Sequence, residues 1–119
     1  MPSSDPIQRF RDIIENIEAI ERFTEGMDLR GFAEADQTIR AAKYSPLVIS
    51  EAATKLGDLA ADLCPSVPWR EIRGLGNWLR HDYQSIDVGR IWLLIERDLP
   101  PLKAACHDAL RRLEEDGEA

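Results

Sequence analysis

An all-α fold, an antiparallel bundle of four main helices with kinks in its long members, is what this sequence predicts, and three observations carry the prediction. Apolar residues recur three and four apart along nearly the whole chain, the repeat of a helix with one buried face. No stretch alternates apolar and polar residues for long enough to make a strand. The segments between the periodic runs are short and hold proline, glycine and capping residues, which suits antiparallel neighbours joined by tight connections.

The first helix is predicted over Asp5 to Phe23. Ser4 or Asp5 can cap it, Pro6 suits a first turn whose N–H groups have no intrahelical partner, and Gly26 lies just beyond the end. Its buried stripe is Ile7, Phe10, Ile13, Ile14, Ile17 and Ile20. A short helical turn is expected around Gly31 to Ala35. Next comes one long helix from Asp36 to Leu63, on which Ile39, Ala42, Pro46, Ile49, Ala53, Leu56, Ala60 and Leu63 mark a continuous face. Pro46 removes a backbone donor inside that helix, so a kink is expected near Lys43, with Tyr44 packed beside it.

Cys64-Pro65-Ser66-Val67-Pro68 breaks the pattern. A fourth segment then runs from Pro68 to Arg80, with Trp69, Ile72, Leu75, Gly76 and Leu79 turned inward. Gln84 to Ile86 reads as a turn, and Asp87 as the N-cap of the last helix. That helix carries Val88, Ile91, Ile95, Leu99, Leu102, Cys106, Ala109 and Leu113 on its apolar side, with Pro100-Pro101 expected to bend or interrupt it. The acidic tail from Glu114 to Ala119 is expected to fray.

At 119 residues the chain fits one domain, residues 1–119, built on a single core. The formal charge of −7 counts against a general nucleic-acid binder, whose affinity comes mainly from phosphate contacts. A local basic patch, or a basic protein partner, is compatible with it. No apolar run is long enough to cross a bilayer and the first ten residues do not resemble a secretion signal, so no membrane association and a cytoplasmic location are expected. The two cysteines, Cys64 and Cys106, form no CxxC pair and fit a reducing compartment. His107 beside Cys106 and Asp108 has no second ligand pair at metal-binding spacing, and Cys106 falls on the apolar stripe. Nothing in the sequence matches a phosphate loop, a dinucleotide fingerprint or a Ser/His/Asp arrangement; no metal and no cofactor are expected.

Chemistry concentrates in Arg73-Gly-Leu-Gly-Asn-Trp-Leu-Arg-His-Asp-Tyr83. At 100° per residue, Arg73, Asn77, Arg80 and His81 span roughly 100° of one helix side, opposite Ile72, Leu75 and Leu79. Arginine forks match phosphate oxygens, the Asn77 amide adds a donor for substrate, and an imidazole moves protons near neutral pH. The same residues also fit an ordinary solvated helix face. Trp78 lies off the buried side and suits either base stacking or partial burial in the bundle.

This stretch, with Trp69-Arg-Glu-Ile upstream and Ile86-Asp87, Ile91-Trp92 and Asp98-Leu99-Pro100 downstream, resembles the HepT-like branch of the HEPN superfamily. The marks of that family are an arginine, four to six residues, then His-x-Tyr, followed by an Asp-Leu-Pro step. Ile49-Ser-Glu-Ala-Ala53 is similar to the family's Ile-Gly-Glu-Ala-Ala helix. The resemblance covers about Asp5 to Leu113 and implies a HEPN-like helical bundle, usually a homodimer with the motifs of both chains facing one cleft. It implies metal-independent RNA cleavage by a toxin, with His81 in proton transfer, Arg73 or Arg80 on phosphate charge and Glu51 as a further polar group in the cleft. It also implies a nucleotidyltransferase antitoxin that attaches AMP to Tyr83 and so silences the nuclease.

The chain departs from the pattern at the arginine. The positions four to six residues ahead of the histidine gap are Gly76, Leu75 and Gly74. Arg73 stands about 12 Å along an ideal helix from His81, and Arg80 points about 100° away from it. The sequence therefore leaves three readings open: a ribonuclease with a displaced arginine, a non-catalytic HEPN partner of a minimal nucleotidyltransferase, and a purely structural helical dimerisation protein.

Overall fold

The computed structural model describes residues 5–81 and 87–118, and every regular element among them is helical. Helix α1 spans Pro6–Thr24. The Asp5 carboxylate accepts the Gln8 N–H at 3.3 Å, and Pro6 occupies the first turn, so the expected start holds. Phe10, Ile13, Ile14, Ile17 and Ile20 are buried as the stripe predicts, while Ile7 is only half-buried.

Helix α2, Leu29–Glu34, is the short turn expected near Gly31, capped by Asp28 accepting the Gly31 N–H at 2.8 Å. Six residues hold no helix by themselves. The anchor is Phe32, fully buried, its ring tilted against Trp92 with centroids 5.0 Å apart.

The single helix expected from Asp36 to Leu63 is two. Helix α3 runs Asp36–Leu56, unbroken through the buried Pro46, and α4 runs Asp58–Leu63. Gly57 separates them with φ 59°, ψ −141°, a backbone state far from the right-handed helix and one that only glycine adopts cheaply. The apolar repeat carries across the hitch because Leu56 and Ala60 both still face the core. Tyr44 does not pack beside Pro46: it is 65% exposed, while its neighbours Ser45 and Pro46 take the inward positions.

Helix α5, Trp69–His81, follows the Cys64–Pro68 break, and the Trp69 indole N–H closes that break by donating to the Cys64 carbonyl at 2.9 Å. Asp87 caps α6, Val88–Leu93, through the Gly89 N–H at 2.8 Å. A π-helical turn, Leu94–Asp98, joins α6 to α7, Leu99–Glu118. Pro100 and Pro101 offer no N–H to the carbonyls four residues back, and their rings crowd that turn. Widening accommodates them, and the Leu99 N–H bonds the Leu94 carbonyl five residues behind. The predicted interruption is therefore a local change of pitch. Beyond it α7 stays helical to Glu118 instead of fraying at Glu114, helped by Arg111 bridging Asp108 at 2.6 Å and Glu115 at 3.1 Å.

In the bundle, α1 packs between α3 and α7, and α5 packs on the far side of α3. Phe10, Ile13, Ile17, Ile49, Leu99, Leu102 and Cys106 fill the centre. Both cysteines are buried thiols, Cys64 donating to the Ala105 carbonyl at 3.4 Å. Helix α5 stands off from the rod formed by α6, the π-helical turn and α7, leaving a cleft of about 570 Å3. No helix among the described residues is long and apolar enough to cross a membrane.

Candidate functional site

Everything at the site follows from how closely α5 crosses α3. Gly76 is buried at the crossing, and a Cβ added there would stand 2.8 Å from the Ser50 Oγ. Only a bare Cα lets the two helices meet at this separation. The Ser50 hydroxyl, itself buried, donates to the Arg73 carbonyl at 2.6 Å and so fixes the register of α5 on α3.

Arg73 is drawn into the same junction. Its Nη2 donates to the Gly57 carbonyl at 3.0 Å and its Nε to the Ala53 carbonyl at 3.5 Å. Both carbonyls lie where α3 ends; that of Gly57 also accepts the Ala60 N–H at 3.3 Å, and the guanidinium adds a charged donor at the negative end of the helix dipole. Arg73 belongs to the α3–α5 junction, half-buried and turned from open solvent.

The remaining predicted residues of α5 stay together on the outside: Asn77, Arg80 and His81 are all exposed. Arg80 does not extend straight outward. Its Nη1 lies 3.3 Å from the point where a Gly76 Cβ would be, so the side chain folds back one turn toward the helix N-terminus, the usual lean of long helical side chains. Tyr83 lies outside the described residues, as does the turn expected at Gln84 to Ile86. Glu51 points to solvent and pairs with Lys55 at 3.3 Å, one turn along α3.

Trp78, on another side of α5, is half-buried against the core and carries the Arg90 guanidinium 4.5 Å from its ring centroid. Both line the cleft, with Ile72 and Leu75 on one wall and Leu94 and Arg97 on the other. The exposed polar face of α5 thus runs beside a partly apolar cleft. Among the described residues, no three His, Cys, Asp or Glu side chains gather where a metal could bind.

Ser50 is the residue that the helical pattern alone does not single out. The one signal for it was its place in Ile49-Ser-Glu-Ala-Ala53, where the resembled helix has glycine.

A helical bundle that presents a cationic, histidine-bearing face beside a cleft is a class of protein suited to holding a phosphodiester. Comparison with known proteins narrows it. The family model for "Ribonuclease HepT-like" matches residues 13–109. The chain is 34% identical over 92 residues to the "Probable ribonuclease HepT" of Thermococcus cleftensis, covering 77% of this chain and 84% of that one. It is 33% identical over 93 residues to "Putative RNase MJ1380" of Methanocaldococcus jannaschii, with the same coverage of 77% and 84%. A second protein of that organism, "Putative RNase MJ0125", is 28% identical over 119 residues, covering 97% of this chain and 99% of the relative. No solved structure is a significant match. This chain belongs to the HepT-like ribonuclease family.

Proposed function

We propose that the chain, one HepT-like domain over residues 1–119, is a cytoplasmic endoribonuclease toxin of a HEPN/nucleotidyltransferase pair, cleaving RNA without a metal as a homodimer. The observation that carries this reading is the grouping of Asn77, Arg80 and His81 on the exposed face of α5 in a chain of this family. Cleavage of this kind has the RNA 2′-hydroxyl attack the adjacent phosphorus while the 5′-oxygen leaves. His81 moves the proton in that exchange, an arginine of α5 meets the charge that builds on the phosphate oxygens, and Asn77 donates to the substrate. The second protomer brings a matching face to the other side of the substrate.

Silencing takes place at Tyr83 in this proposal. The phenol oxygen attacks the α-phosphorus of ATP in the partner nucleotidyltransferase, pyrophosphate leaves, and the AMP phosphate remains on the tyrosine. A fixed negative charge beside the cationic face repels RNA and neutralises the arginine.

Purified protein in EDTA is expected to cut single-stranded RNA, and His81→Ala to abolish the cut without unfolding the protein; equal cleavage by that variant overturns the role of His81. Intact mass after incubation with the nucleotidyltransferase and ATP is expected to rise by whole AMP groups, and Tyr83→Phe to prevent the rise.

A specific observation favours a second reading. Gly76, in the stretch where the resembled pattern carries arginine, is packed against Ser50. A chain without that arginine also serves as a non-catalytic HEPN partner that binds substrate or nucleotide for a minimal nucleotidyltransferase. A stable complex with such an enzyme, together with no cleavage by the free chain, selects it.

A further inference from the structure

We infer that Gly76 is a seat for the Arg80 guanidinium, making Arg80 the group on α5 that meets a phosphodiester, while Arg73 serves only as the cap of α3. The inference rests on the ribonuclease reading for its ligand class, the backbone of single-stranded RNA, and on geometry for the choice of arginine.

Two arginines lie on the helix, and their surroundings separate them. The Arg73 guanidinium is hydrogen-bonded to the Ala53 and Gly57 carbonyls. Turning it to a ligand would break both of these bonds at the end of α3, leaving the Gly57 carbonyl only the Ala60 N–H, a cost that the exposed Arg80 does not bear. Arg80 is exposed, four residues after Gly76, and therefore directly above it on the helix. Its Nη1 stands 3.3 Å from the place a Cβ on residue 76 would take. Any side chain at position 76 would contest that space, and glycine leaves it to the guanidinium.

The seat does a second thing. An arginine side chain free in solvent samples many rotamers, and fixing it on a ligand costs entropy. Bedded over a bare backbone and walled by Ser50, whose Oγ is 2.8 Å from the same point, the Arg80 guanidinium has fewer states to lose. Asn77 and His81 are exposed further round the same side of α5, Asn77 nearer to Arg80 and His81 about 100° from it. Gly76 and Ser50 act as positioning residues, through Arg80.

The probe is a single-stranded 2′-O-methyl RNA oligonucleotide, which binds but cannot be cut, titrated against the intact protein at several salt concentrations. Arg80→Ala is expected to weaken binding about tenfold and to lower the slope of log affinity against log salt by about 0.7, the loss of one phosphate contact to a single strand. Arg80→Lys is expected to recover the slope but only part of the affinity, because a point charge replaces the fork. Arg73→Ala is expected to lower the unfolding midpoint and leave the slope unchanged. Ser50→Gly/Gly76→Leu fills the seat while relieving the contact with Ser50. It is expected to lose the slope as Arg80→Ala does, with no further loss when the two are combined. An unchanged slope in Arg80→Ala, an equal drop in Arg73→Ala, or additive losses in the combined variant each overturn the seat. Parallel assays on the cleavable RNA separate the two claims. Arg80-dependent binding without cleavage removes the ribonuclease reading and leaves the seat, and cleavage that ignores Arg80 does the reverse.

Discussion

Ser50 of α3 and Gly76 of α5 face each other so closely that a Cβ on the glycine would come within 2.8 Å of the serine hydroxyl oxygen. The resembled helix carries glycine where Ser50 stands and an arginine in the stretch holding Gly76. In this chain the bulk at the crossing is on the α3 side. Gly76→Ala should therefore destabilise the fold by about 1–3 kcal/mol through overpacking, despite the ~1 kcal/mol that alanine normally gains over glycine inside a helix. Ser50→Gly in the same chain should relieve the clash, so that urea denaturation of both single variants and the double shows a favourable coupling of ~1 kcal/mol or more. Strictly additive effects would mean that the helices do not meet here.

Arg73 and Arg80 should part company in stability measurements, whatever they do with RNA. Removing the Arg73 guanidinium leaves the Gly57 and Ala53 carbonyls without that donor at the end of α3, so Arg73→Ala should cost roughly 1–3 kcal/mol. Arg80 is exposed, and Arg80→Ala should change stability by about 0.5 kcal/mol or less. Thermal or urea unfolding of the two variants settles the comparison, and equal losses would contradict the division of labour.

Helix positions and the buried face of each were legible in the sequence because both follow from periodicity and capping, which are local. Asp5 and Asp87 cap where their side chains and the following pattern say they should. The break at Gly57 escaped because an apolar repeat records which side faces the core, and Leu56 and Ala60 keep their side across a one-residue hitch. The site was half legible for a related reason. A helical wheel places Arg73, Asn77, Arg80 and His81 on one face, but it holds no information about a neighbouring helix. What divides the arginines is tertiary: α3 ends where Arg73 can reach its carbonyls, and Ser50 lies opposite Gly76. Tyr44 failed the same way, since Ser45 and Pro46 took the inward positions beside it.

Phe32 should carry α2 almost alone. It is fully buried in a helix of six residues, its ring tilted against Trp92, and its helix rests on α3 and α6. Phe32→Ala should cost about 3–5 kcal/mol, the range for a large buried aromatic, and hydrogen exchange across Leu29–Glu34 should speed up more than in α1. Phe32→Leu, which keeps most of the buried volume, should recover a large part of the loss. A variant as stable as the parent would show that α2 is held by its cap instead.

Alkaline pH should expose the strain of keeping Cys106 in the core. Burial first, and the neighbouring Cys64 second, push its thiol up from the ordinary 9.0 to about 12. Below pH 9 both the folded and unfolded chains hold the proton, and the thiol contributes no pH dependence. Above it the unfolded chain ionises first and binds fewer protons than the folded one, so stability falls as pH rises, by at most ~1.4 kcal/mol per pH unit from this group, until the folded thiol also ionises near pH 12. Cys106→Ala lowers stability at neutral pH by leaving a small void, yet should flatten the decline between pH 9 and pH 12 relative to the parent. The same burial should protect the thiol from an alkylating reagent until the chain is unfolded. Two readings check this: parallel unfolding slopes for parent and variant, or rapid labelling of Cys106 under native conditions, would each show the thiol to be in contact with solvent.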